Sequence, residues 1–188
     1  MPLIVGHGLL GASVVAAARE PGTFRDDARF WALGAALGVL PDIDLFFTWI
    51  LGLGITWHGA FTHSFVFAIL VGWLASRLDR VRWQEFAIYS TAVFSHALLD
   101  MAVKKTYGGV ALLWPFSTHL YRLGRIDYFP FYPGSNLEPL PLLIWLGIKF
   151  SFYELLIFGP VFLGALSIRR IRQALRKRAT NERQPERI

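Results

Sequence analysis

The sequence predicts an all-α fold: an integral membrane bundle of about five apolar helices, one of them broken at Pro41. Three observations predict it. Of 188 residues, 54% are hydrophobic and only 17% are charged, against roughly a quarter charged in soluble globular domains. Mean hydropathy is +0.44. Apolar residues gather into segments near the length of a membrane span, and basic residues gather in alternate connections between them.

The apolar segments run over 3–18, 30–53, 61–76, 86–103 and 140–167. A full span needs ~20 residues, so the first and third are short and imply a thin or water-indented bundle. No basic stretch precedes the first segment and no small-residue cleavage site follows it, so a removed signal peptide is not expected. The second segment is interrupted at Pro41, which cannot donate a backbone hydrogen bond and disfavours helix in Leu40 before it. Broken helix at membrane depth is tolerated where it is buried in protein or lines a wet cavity. Asp42 and Asp44 follow that break directly. The fourth segment carries His96 and Asp100, and the last carries Lys149 and Glu154.

The connections set an expected orientation. Lysines and arginines number three in 19–29, three in 77–82 and eight after residue 168, against four in the long connection 104–139. The positive-inside rule makes the first three regions cytoplasmic. The expected protein is therefore a multi-pass inner-membrane protein with a cytoplasmic C-terminus. Residues 1–168 form the membrane-embedded domain, and 169–188 form a basic, disordered tail. Its cluster Arg169, Arg170, Arg172, Arg176, Lys177, Arg178 explains much of the net charge of +6 as a membrane flank beside anionic lipid, so no nucleic-acid partner is expected. The connection 104–139, with Trp114-Pro115-Phe116 and prolines at 130, 133 and 139, reads as an ordered outer loop.

The chemistry lies in four polar clusters: Gly6-His7-Gly8, Asp42-Ile43-Asp44, His58 to Ser64 with His58 and His63, and His96 with Asp100. Ionisable groups in hydrocarbon are costly, and a chain that keeps them uses them. The predicted topology puts all of them in the extracytoplasmic half of the bundle. Imidazole and carboxylate are the usual N/O ligand set for zinc and similar ions, and the absence of cysteine excludes thiolate sites.

Each cluster also has a plainer explanation. His96 and Asp100 are four apart and share a helix face, which suits one ion, an Asp-oriented imidazole or a simple bonded pair. Thr62 or Ser64 caps the helix that follows His58 and His63. An N-cap role explains one of Asp42 and Asp44 and not both. His7 alone reads as a satisfied buried histidine. Together the seven form the expected site, with His7, Asp42, His58, His96 and Asp100 as ligands of one or two divalent ions, best matched by zinc. Asp44 and His63 are the expected proton-transfer groups. Asp127 reads as a loop salt bridge, His119 as exposed, Glu154 as protonated or paired with Lys149, and Arg122 and Arg125 as interfacial anchors.

With those residues in place, residues 6–117 resemble the LexA-regulated, membrane-bound metal-dependent hydrolase family. The carriers are Gly6-His7, Leu40-Pro41-Asp42-Ile43-Asp44, His58 to Ser64, Ser95-His96 with Asp100, and Gly109 to Phe116. Two positions depart. The family usually reads His-Arg-Gly-Phe-Thr-His-Ser where this chain has Gly59 and Ala60, and it often has a histidine where this chain has Leu45. The order of motifs is more loosely similar to the zinc phospholipase C and nuclease group. These resemblances imply a hydrolase that cleaves a lipid or lipid-linked phosphoester with a metal-activated water. A non-catalytic membrane metal-binding or transport protein is the alternative. A lipid phosphatase with a histidine nucleophile ranks lower, because Gly59 supplies no phosphate clamp.

Overall fold

A computed structural model describes residues 4–20, 23–52, 58–78, 83–103, 109–125 and 140–182. The described chain is helical, as expected, in the order α1 (Ile4–Ala18), α2 (Phe24–Val39), α3 (Ile43–Ile50), α4 (Phe65–Ser76), α5 (Trp83–Ala102) and α6 (Leu140–Glu182).

Local chemistry sets the helix ends that matter for the site. Thr23 caps α2 by accepting from the Asp26 amide at 3.3 Å, and Asp26 and Asp27 lie in its first turn, where the helix dipole favours negative charge. At Pro41 the α-helix gives way to a 3-10 turn, Leu40–Asp42, before α3 begins. A second 3-10 turn, Phe61–His63, leads into α4. There Ser64 is the cap: its hydroxyl accepts from the Phe67 amide at 3.1 Å.

α1 and α2 pack backbone against backbone. A Cβ on Gly11 would run into Gly34 O, and one on Gly38 would run into His7 O. Glycine is required here by close approach rather than by conformation. Beside this seam, Val15, Phe30, Leu37, Phe67, Ala68, Tyr89, Ala92 and Val93 form the main core, built from α1, α2, α4 and α5. A second cluster joins Leu99 and Val103 to Phe158 of α6.

α6 runs parallel to α1, since their contacts ascend together: Glu154 with Gly6, Arg172 with Ala17, Arg176 with Glu20. This corrects the expected disordered tail at its start. The helix continues through the basic run to Glu182, because that run has partners. Buried Arg169 pairs with Asp27, Arg172 donates to Ala17 O, and Arg176 meets Glu20 at 2.6 Å. Residues 183–188 lie outside the described residues.

Residues 109–125 form a strap, closed by an antiparallel bridge between Val110 and Tyr121. It ties two elements together. The Ala111 amide donates to Gly59 O at 2.8 Å, and the Leu123 amide donates to Met101 O at 2.8 Å. The rest of the expected outer loop, with Asp127, lies outside the described residues. Among the described residues one helical stretch, Gly147–Ala179 of α6, is long and apolar enough to cross a membrane. α1 and α4 are apolar but have only 15 and 12 residues. Phe46, Leu70, Trp73, Leu156 and Leu163 are large, apolar and exposed, a surface suited to lipid.

Candidate metal centre

Four elements deliver the polar side chains to one point. α1 brings His7, and the Pro41 turn brings Asp42. The Phe61–His63 turn brings His63, and α5 brings His96 and Asp100 from one face. The Nε2 atoms of His63 and His96 are 3.1 Å apart. Asp42 Oδ1 lies 3.4 Å from His96 Nε2, and Asp100 Oδ2 lies 3.4 Å from His63 Nε2. His7 stacks on His96, with centroids 3.6 Å apart, and its Nε2 is 3.5 Å from Asp100 Oδ1. His7, His63, His96 and Asp100 are essentially inaccessible to solvent.

Proton accounting assigns the tautomers. His96 Nδ1 is 2.7 Å from Gly38 O. A carbonyl only accepts, so that nitrogen carries the hydrogen. Thr62 donates its one hydroxyl proton to Asp44 Oδ2 at 2.7 Å. The 2.9 Å contact between Thr62 Oγ1 and His63 Nδ1 is then a donation from the ring. With their Nδ1 hydrogens engaged, the neutral rings of His63 and His96 present Nε2 lone pairs to each other. Two lone pairs at this distance repel unless a proton or a metal cation lies between them.

Asp44 stands behind this ring of atoms. It accepts from His58 Nδ1 at 2.8 Å, the Gly59 amide at 3.3 Å and Thr62 Oγ1 at 2.7 Å. Its lone pairs are thus largely used in orienting neighbours. His58 Nε2 is buried without a hydrogen-bond partner among the described residues, as are both ring nitrogens of His7 and Asp42 Oδ1. Buried polar atoms are nearly always satisfied, so four such atoms in one place call for a ligand.

All seven residues singled out in the sequence are therefore gathered, in three overlapping groups: His7, His96 and Asp100; Asp42, His63 and His96; Asp44, His58 and His63. Within each group the candidate ligand atoms lie within 4.8 Å of one another. The nitrogen and oxygen donor set fits zinc and other borderline divalent ions. His119 is exposed and packs on Tyr121, and Arg122 and Arg125 are exposed on the strap. Glu154 accepts a hydrogen bond from the Gly6 amide at 2.8 Å. Sequence reasoning missed Gly38, whose contribution is a backbone carbonyl and leaves no side-chain signal. It also gave Thr62 only a possible capping role. The glycine at position 59 has a backbone reason: φ is +86°, and a Cβ would stand 2.6 Å from Gly109 O.

A family model described as YdjM inner membrane protein matches residues 1–172. The chain belongs to the YdjM inner membrane protein family. It is also 34% identical over 125 residues to a protein called inner membrane protein YbcI, from Escherichia coli strain K12. That alignment takes in 62% of this chain and 64% of the relative, so the chain spans under two thirds of the relative's length. No solved structure matches. Like its family, this YdjM-type chain is an inner membrane protein, and its exposed apolar surface is the physical counterpart of that location.

Proposed function

We propose that this protein is a multi-pass, metal-dependent hydrolase of the inner membrane that cleaves a lipid or lipid-linked phosphoester. The observation that carries the reading is the pair of facing Nε2 atoms of His63 and His96, 3.1 Å apart with Asp42 and Asp100 oxygens beside them. One proton can relieve one such contact. It cannot satisfy two imidazoles and two carboxylates together, with His7 behind them. One or two divalent ions, best matched by zinc, can.

In this reading His63 joins His7, Asp42, His96 and Asp100 as a ligand, while Asp44 holds His58 and Thr62. A divalent ion bound there supplies Lewis acidity and acidifies water. His58 is the proton acceptor. Its Nδ1–H is bound to Asp44, which leaves Nε2 free to take a proton from the attacking water. As the phosphorus–oxygen bond breaks, the leaving oxygen takes that proton back from His58. Water access is through the side of Asp42, Asp44 and His58, which keep slight exposure while His63 and Asp100 have none. Exposed Ile43, Phe46 and Phe65 lie on the elements flanking that side, which suits a substrate with an acyl or isoprenoid part.

The proposed orientation puts this centre at the extracytoplasmic end. His7 is at the start of α1, while Arg19, Arg172 and Arg176 gather at its other end. By the positive-inside rule that other end is cytoplasmic.

The deciding experiment is metal content of the detergent-purified protein by elemental mass spectrometry, wild type beside His96→Ala. One or two equivalents in wild type, lost in the variant, is the expected result. Wild type that stays metal-free after zinc is supplied overturns the proposal.

A further inference from the structure

We propose that Glu154 is a positioning residue for His7, acting through the backbone of α1; this rests on the metal-centre reading for its purpose but not for its test. The argument starts from a difference among the four clustered histidines. His58, His63 and His96 each have Nδ1 hydrogen-bonded, to Asp44, Thr62 and Gly38 O. Such bonds fix the ring's rotation and tautomer. His7 has no hydrogen bond at either ring nitrogen among the described residues. Its ring is placed by stacking on His96, by the long 3.5 Å approach of Nε2 to Asp100 Oδ1 and by its own backbone.

That backbone is held from α6. Gly6 lies in the first turn of α1, where amides have no acceptor within the helix. The Glu154 carboxylate, fully buried, accepts from the Gly6 amide at 2.8 Å. Gly6 is what allows the approach: a Cβ there would lie 2.9 Å from Phe158 Cε2 and 3.1 Å from Glu154 Oε1. At the far end of α1, Arg172 of α6 donates to Ala17 O. α6 thus grips α1 at both ends, and the grip nearest the centre is one residue from His7. Glu154 does for His7, through the peptide unit, what Gly38 O does directly for His96.

The test is carbethoxylation of the metal-stripped, full-length protein in detergent, read per histidine by mass spectrometry. In wild type His7, His63 and His96 are buried and label slowly, while His58, on the partly exposed side, labels faster. In Glu154→Ala, His7 labelling rises by about tenfold while His63 and His96 stay protected, because only the first turn of α1 is released. In Glu154→Gln the amide oxygen still accepts from Gly6, and His7 stays protected. If Glu154→Ala does not fold, Gly6→Ala separates the same pair, and His7 alone should again become labelled.

Unchanged His7 labelling in a folded variant overturns the proposal. So does a parallel rise at His58, His63 and His96, which would make Glu154 a support of the whole bundle. A zinc titration then adds the link to the centre. Glu154→Ala weakens zinc by about 10- to 100-fold, the usual effect of losing an orienting partner, and adds nothing in a His7→Ala background. Equal losses in both backgrounds count against positioning. Wild type that binds no zinc sinks the metal reading alone, and the labelling result still decides the role of Glu154.

Discussion

His63 and His96 come from a 3-10 turn and a helix 33 residues apart in sequence, yet their Nε2 atoms face each other at 3.1 Å, each with its Nδ1 hydrogen engaged elsewhere. Lone pairs so arranged attract a cation. His63→Ala and His96→Ala should each lose zinc, with affinity falling at least about 100-fold, the upper range for partners that merely orient ligands. Isothermal titration of stripped protein checks this. Affinity unchanged in both variants would mean the facing pair is a protonated imidazole contact instead.

Thr62 links the two layers of the site, donating to Asp44 and accepting from His63. Thr62→Val keeps the shape and deletes the hydroxyl. It leaves Asp44 short of a donor and the His63 ring free to take its other tautomer. The expected result is a 10- to 100-fold loss in zinc affinity, with stability reduced by about 1–3 kcal/mol. Thermal unfolding and metal titration on one sample separate the two effects.

Gly38 serves twice: its carbonyl fixes His96, and its missing side chain lets His7 O come close. Gly38→Ala places a methyl against backbone that has no rotamer to change. Overpacking of this kind costs about 1–3 kcal/mol and should also loosen the centre, since both histidines move. Gly34→Ala faces Val15 and Gly11 O instead, away from the ligands. It should lower the melting temperature while leaving zinc affinity near wild type.

These variants mark where the sequence was legible. The seven site residues stood out because imidazoles and carboxylates are conspicuous in apolar segments, and Pro41 announced the broken helix. The all-α fold followed from the same apolar pattern. What stayed hidden was the part carried by backbone or by distant partners. Gly38 O is invisible to a reading of side chains. The Gly6 amide that Glu154 accepts from is 148 residues away. The basic run after residue 168 read as tail because its local composition is polar, whereas its helix is held by Asp27, Ala17 and Glu20 near the other end of the chain.

That basic helix yields a prediction about stability alone. Arg169 and Asp27 are both largely buried, and their pair docks α6 on α2. Removing one partner strands the other's charge, which costs about 3–5 kcal/mol in buried pairs. Arg169→Ala should lower the melting temperature sharply. The centre lies at the far end of α1, so zinc stoichiometry below the melting temperature should not change. Loss of zinc in a folded Arg169→Ala protein would contradict the separation of the two ends.

His58 separates turnover from binding. Its Nδ1 is bound to Asp44 at 2.8 Å and its Nε2 is unpartnered, so it can accept a proton without being needed to hold an ion. General base removal lowers rate by about 10²- to 10⁴-fold. His58→Gln should therefore keep its metal and fall by that amount in kcat on whichever phospholipid or lipid-phosphate substrate a screen finds, with KM little changed. A His58→Gln protein that loses metal in proportion to activity would make His58 a ligand, and the proton acceptor would have to be sought at Asp42 or Asp44, the other slightly exposed groups of the site. Full metal in wild type with no turnover on any such substrate would favour a binding or transport role, and His58 would then matter only through the geometry of Asp44.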